Sequence, residues 1–232
     1  MDLSSRSYQK ELLDQDDIPF EAIQRNMKEL DVINTWLGGH RITLNGLKRL
    51  IQNRKKITIC EIGCGGGDNL VAVEKWCKRQ NITAKFIGID INPHCIAVAK
   101  SKFENSNSRF IASDFRLVKF RDEKTDIIFS SLFCHHFTND ELISMLSWMQ
   151  NNATVGFFIN DLHRHVLAYY SITFLTRIFS RSWLVKHDAP LSVLRGFIRK
   201  ELTSLLDQAG ILSKTIEWKW AFRWLIIIKN PA

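Results

Sequence analysis

With 232 residues, 45% of them hydrophobic and 24% charged, the chain can bury one continuous core, and its composition excludes a disordered, collagen-like or disulfide-stapled protein. The net charge of +8 is unevenly spread: residues 162–200 hold seven bases (Arg164, Arg177, Arg181, Lys186, Arg195, Arg199 and Lys200) against Asp188 alone, while the first 35 residues are acidic. No apolar run approaches the length of a membrane span, and the first residues lack the basic start and apolar stretch of a signal peptide, so a cytoplasmic location is expected.

Residues 1–53 read as a helical cap. Ile23, Met27 and Leu30 recur at helical spacing, the pair Gly38-Gly39 marks a turn, and Leu44, Leu47, Leu50 and Ile51 trace a second amphipathic helix. From Lys56 the pattern changes. Residues 57–62 form a β-branched run of the kind buried on both faces of a sheet, and a helix follows over 68–80. A second strand is predicted over 84–90. Asn92 as cap and Pro93 at the first helical position then start a helix that reaches about Phe103. Strands at 109–113, 126–131 and 154–159 continue the series, with a helix over 139–150.

This alternation predicts an α/β protein, with a mostly parallel sheet covered by helices on both faces. The aromatic and basic stretch after the fifth strand is too long for a simple connection, and 161–196 is expected as an inserted lid. A helix over 197–208 ends at Gly210. Two closely spaced strands, 211–220 and 222–228, complete seven, the last running antiparallel. The five cysteines contain no CxxC pair and are expected to be reduced packing residues; no metal is expected.

The strongest chemical signal is Ile59-Cys60-Glu61-Ile62-Gly63-Cys64-Gly65-Gly66-Gly67-Asp68. A strand ends in an acid, meets glycines that let backbone approach a ligand, and leads into a helix start with free N–H groups. The next strand ends at Asp90, about where an acid meets ribose hydroxyls in dinucleotide folds, a spacing that leaves NAD open.

The wider pattern resembles the class I S-adenosylmethionine-dependent methyltransferases. Glu61–Gly67, E-x-G-x-G-x-G, is similar to their motif I, Phe86–Pro93 to motif II, Phe110–Phe115 to motif III, and Asp126–Phe137 to motif IV of the small-molecule enzymes. The segments Trp36–Arg41 and Asp161–Arg164 resemble bacterial enzymes of polyketide and phenolic-lipid pathways and, more distantly, the ubiquinone/menaquinone group. The resemblance implies a Rossmann-like methyltransferase domain over 54–232 with S-adenosyl-L-methionine as cofactor. It places Gly63, Gly65 and Gly67 beside the amino acid moiety, Glu61 under that loop or on the ammonium, and Asp90 on the ribose. Ile91 would lie against the adenine, Asp114 on its amino group, Phe115 on the ring, Ser131 or its backbone carbonyl near the sulfonium, and His40 or Arg41 on the carboxylate.

A methylated oxygen gains from a base that removes its proton, and histidine suits that role near neutral pH. His135 and His136 follow the fourth strand at the sheet's carboxyl edge, and His163 follows the fifth with Asp161 as its expected orienting partner. The aromatics of the lid point to a hydrophobic, phenolic or polyketide-like acceptor. Basic residues among them also describe a membrane-surface helix over 166–185. An RNA methyltransferase is the alternative the basic stretch supports, against which no appended RNA-binding module and no N/D-P-P-Y/F motif is found. A non-catalytic, membrane-associated nucleoside-binding protein is the other. Oligomeric state is not encoded in any motif.

Overall fold

Alternation of side chains along each strand decides which face it serves. In β1 (Lys56–Ile62), Ile57 and Ile59 point to one face and Cys60 and Ile62 to the other. β2 (Thr83–Asp90) repeats this with Ala84 and Phe86 against Ile87 and Ile89. Both faces therefore need covering, and each is covered. The protein is described by a computed structural model over residues 3–14, 17–103, 108–120 and 125–231.

The sheet has seven strands in the order β3-β2-β1-β4-β5-β7-β6, completed by β3 (Ser108–Ala112), β4 (Thr125–Ser131), β5 (Ala153–Leu162), β6 (Thr215–Lys219) and β7 (Arg223–Lys229). β1 pairs in parallel with β2 and β4, and β4 with β5; β7 runs antiparallel between β5 and β6. This is the α/β, Rossmann-like seven-stranded arrangement expected. The chain winds outward from β1 to β3 and restarts on the other side at β4, so a crevice opens at the carboxyl ends of β1 and β4, where ligands bind in open α/β sheets.

One face carries α2 (Gly39–Ile51), α3 (Asp68–Arg79) and α4 (Pro93–Lys102); the other carries α5 (Asn139–Asn152) and α8 (Arg199–Gln208). Local signals fix their starts. Asn92 accepts from the His94 and Cys95 amides, and Thr138 forms a capping box with Glu141. All five cysteines are buried and free, as packing residues should be.

The N-terminal segment divides in a way its helical pattern does not reveal. α2 belongs to the sheet's own layer: Leu47 and Leu50 are fully buried with Ile57 and Ile59, and Gly46 lies against the Phe158 ring, which a Cβ would meet at 2.5 Å. Truncating such a leucine to alanine costs about 2–5 kcal/mol. Only α1 (Phe20–Trp36) and the strap before it lie at the carboxyl edge, packed on α7 (Trp183–Arg195). Within the expected 161–196 insert, residues 161 and 162 are the end of β5, and α6 (Val166–Phe179) and α7 make up most of the rest. No helix among the described residues is long and apolar enough to cross a membrane.

Candidate functional site

Glu61 is the penultimate residue of β1 and only 1% exposed. Its Oε1 accepts from Asn69 at 3.0 Å, while Oε2 is buried without a partner. Burial holds its pKa well above the usual 4.5, outweighing the Asn69 hydrogen bond. A buried, half-satisfied carboxyl is costly in an empty core and suits a ligand cation. Asn69 is in turn held by His40, whose Nδ1 lies 2.8 Å from Asn69 Oδ1 and whose Nε2 lies 3.0 Å from Asp31. This corrects the expectation for His40: both ring nitrogens have protein partners, and the residue acts on Glu61 through Asn69 rather than standing free for a ligand carboxylate.

The loop after β1 turns on left-handed glycines. Gly63 has φ +65°, and a Cβ there would lie 2.1 Å from the Phe133 ring, so only glycine fits. The Gly65 amide donates to Asp90 Oδ2 at 2.8 Å, and the Asn92 amide to Oδ1 at 2.9 Å. Burial raises the Asp90 pKa and these two amides oppose the rise. Asp90 thus ties the glycine loop to the tip of β2, each oxygen keeping acceptor capacity. Ile91 beside it is 72% exposed, an apolar surface open at the crevice.

Two expectations at β3 change. Asp114 follows the tip of β3, but its carboxylate is taken by the backbone and guanidinium of Arg116, which lower its pKa. Phe115 is a core residue, edge-on to Trp148 and Phe137, so its ring is not a free stacking surface. The Ser131 hydroxyl is buried and accepts from Asn160, which also donates to Thr43 and to the Gly39 carbonyl.

Of the three histidines considered as bases, His135 is ruled out as an open one. It is 2% exposed, with Nδ1 2.7 Å from Asp161 and Nε2 3.4 Å from Glu11. Burial disfavours its charge, but Asp161 and then Glu11 override this and carry its pKa up to about 9, so it is a proton-holding cation at neutral pH. Asp161 orients His135, not His163 as expected. His163 packs edge-on to Trp224 with its Nδ1 buried and unpaired, and burial, with the neighbouring His165 and Arg164, lowers its pKa. His136 is more open. Its Nδ1 lies 3.3 Å from Asp14, its Nε2 3.7 Å from Glu11, and its ring 6.2 Å from that of Phe133, which covers Gly63.

Glu11 and Asp14 come from the N-terminal strap, residues 3–14, which stands out in sequence only as part of the acidic first 35 residues. Arg6 pins the strap: it donates to the carbonyls of Arg195, His135 and Phe137 and lies 4.3 Å over the Phe197 ring. Glu11, His135 and His136 bring ligand atoms within 4.8 Å of one another, a set able to hold a divalent cation where no metal was expected. A further residue escaped sequence reasoning. Arg223, at the start of β7, is 3% exposed with Nε and Nη1 unpaired, and burial lowers its pKa to about 10. Conversely, Arg164 and Arg195 of the basic stretch are internal: Arg164 pairs with Glu201, and Arg195 donates to the Gln9 and His136 carbonyls.

This crevice, with its glycine loop and acid-tipped strands, is the ligand crevice of a Rossmann-like fold. Residues 59–154 match the family described as a methyltransferase domain, and the chain carries the fold of the class I S-adenosylmethionine-dependent methyltransferases. Among solved structures it is similar to a SAM-dependent methyltransferase from Aquifex aeolicus, with 17% identity, TM-score 0.64, and 93% of this chain and 100% of the other covered. It is similar also to the plantazolicin methyltransferase BpumL in complex with SAH (17% identity, TM-score 0.59, 90% and 99% covered). A third is magnesium protoporphyrin IX methyltransferase (ChlM) from Synechocystis PCC 6803 with bound SAH (14% identity, TM-score 0.52, 94% and 90% covered). At these identities the likeness is one of fold. No curated protein matches the chain by sequence.

Proposed function

We propose that the protein is an S-adenosylmethionine-dependent methyltransferase acting on the oxygen of a hydrophobic phenolic or polyketide-like small molecule. The observation that carries the reading is the orphaned Glu61 Oε2, buried beneath a left-handed glycine loop that Asp90 holds in place. Glu61 meets the cofactor's ammonium, Gly63 and Gly65 give its backbone room, and Asp90 accepts from ribose hydroxyls. The bound cofactor supplies a methyl group on a positively charged sulfur, and much of the remaining catalysis is proximity and alignment.

The acceptor side belongs to His136 and Arg223. Nδ1–H of His136 donates to Asp14, and Nε2, 3.7 Å from Glu11, is the atom that would take a proton from an acceptor hydroxyl. The unpaired Nε and Nη1 of Arg223 suit an oxygen that gains negative charge, as a phenol does when it loses its proton. His135, holding its proton between Asp161 and Glu11, is a positioning residue that fixes the strap. The internal bonding of Arg164 and Arg195 leaves fewer free cations for a phosphate backbone than the sequence count suggests, which favours a small acceptor over RNA. The test is calorimetric titration with S-adenosylhomocysteine. Wild type should bind and Asp90→Ala should bind far more weakly; equal affinity would remove Asp90 from the ribose, and no binding by wild type would end the reading.

A further inference from the structure

α6 is amphipathic the wrong way round for a helix facing water. Val166, Leu167, Tyr170, Phe174 and Ile178 share one face, and that face is exposed: Phe174 by 64%, Tyr170 by 60% and Ile178 by 55%. The buried residues on the opposite side are Ala168 and Thr176, the latter satisfied by its own helix through the Ile172 carbonyl. Phe179 and Trp183, at the junction with α7, are also exposed. Such a contiguous apolar patch marks an interaction surface.

Its charges are one-sided. Residues 166–187 contain Arg177, Arg181 and Lys186, all exposed, and no acid. The nearest carboxylate with a defined role at the junction, Glu29, accepts from the Ser180 hydroxyl and from the Arg181 and Ser182 amides, so it is engaged in holding α6 to α7. At the other end of the helix, His165 caps α6 and stacks on Phe222 with ring centroids 5.1 Å apart. Phe222 in turn meets Trp218, which is half-exposed, and Trp220 lies exposed on the same β6–β7 turn.

We propose that this face seats α6 in the surface of a lipid bilayer bearing anionic headgroups. Apolar side chains flanked by arginines, lysine and tryptophans are what the boundary between headgroup and acyl chain accepts. A second copy of the chain fits less well, because residues 166–187 offer no acid to meet the partner's arginines and lysine. With no helix long enough to cross, the contact is interfacial. α6 leaves the carboxyl end of β5, the edge that also carries the glycine loop, so docking holds that edge near the membrane. An apolar acceptor dissolved there would reach the site without crossing water. That last step rests on the proposed methyltransferase reading; the docking does not.

The experiment is vesicle flotation of the whole chain on phosphatidylcholine alone and on phosphatidylcholine with phosphatidylglycerol, at low and high salt. Wild type should float with the anionic vesicles and less so in high salt. Arg177→Gln with Arg181→Gln should weaken partition by on the order of tenfold or more, and Phe174→Ser with Ile178→Ser should abolish it while thermal melting stays unchanged. Failure of wild type to float on either vesicle would overturn the proposal. So would unchanged flotation by the folded serine variant. A concentration-dependent dimer in analytical ultracentrifugation that the serine variant loses, with no flotation, would assign the face to a second copy instead. Binding of S-adenosylhomocysteine, measured separately, distinguishes failure here from failure of the proposed activity.

Discussion

Glu61→Gln should weaken the binding of S-adenosylhomocysteine while leaving the free protein as stable as before, or more so. In the wild type the carboxyl is almost wholly buried, with one hydrogen bond from Asn69 and one oxygen unpartnered. Burial raises its folded pKa above the ordinary 4.5. Ionisation is therefore harder in the fold than in the unfolded chain. Stability is full below 4.5, and it falls as pH rises from there through the folded pKa. A neutral amide removes that dependence and still accepts from Asn69. It cannot carry the charge that meets an ammonium, and hydrogen bonds to charged groups contribute about 1.5–3 kcal/mol, so affinity should fall on the order of ten- to a hundredfold. Calorimetry in two buffers of different ionisation enthalpy reads the mechanism directly. Burial favours the protonated form of Glu61 and a cation favours the ionised one, so proton release on binding should be greater in wild type than in the glutamine variant. Equal affinity and equal proton release in both proteins would refute the assignment of Glu61 to the ligand's cation.

Gly63→Ala should both destabilise and disable the protein: left-handed backbone costs about 1–2 kcal/mol for an L side chain, and the new Cβ must displace the Phe133 ring. Differential scanning calorimetry and ligand titration check the two effects. His135 sets a second pH dependence. Its pKa is raised from 6.5 to about 9, so the stability it confers is full below 6.5 and is lost as pH climbs through about 9. Denaturant titrations across that window should show a decline that His135→Asn flattens. His136→Asn should lower turnover much more than affinity for S-adenosylhomocysteine; parallel losses would make the residue structural. Treatment with EDTA should leave turnover unchanged. A loss restored by zinc would turn the Glu11–His135–His136 cluster from proton handling to metal chemistry.

Much of this protein follows from local pattern. The double-sided apolar runs, the acid–glycine–helix succession at 61–68, and the caps at Asn92 and Thr138 each act within a few residues. A reader of the sequence can therefore place the strands, the crevice and its loop. What tertiary structure alone decided depends on partners far apart in the chain. Glu11 and His135 are 124 positions apart, yet their pairing, with Asp161 on the other ring nitrogen, turns an expected base into a fixed cation. His40 looked free until Asp31 and Asn69 occupied it. Phe115 looked like a ring platform until Trp148 packed on it, and Arg164 looked like a surface cation until Glu201 enclosed it. Periodicity reports which side of an element meets the core; it carries no record of which distant charge or ring waits there, and the chemistry of a buried group is set by that neighbour.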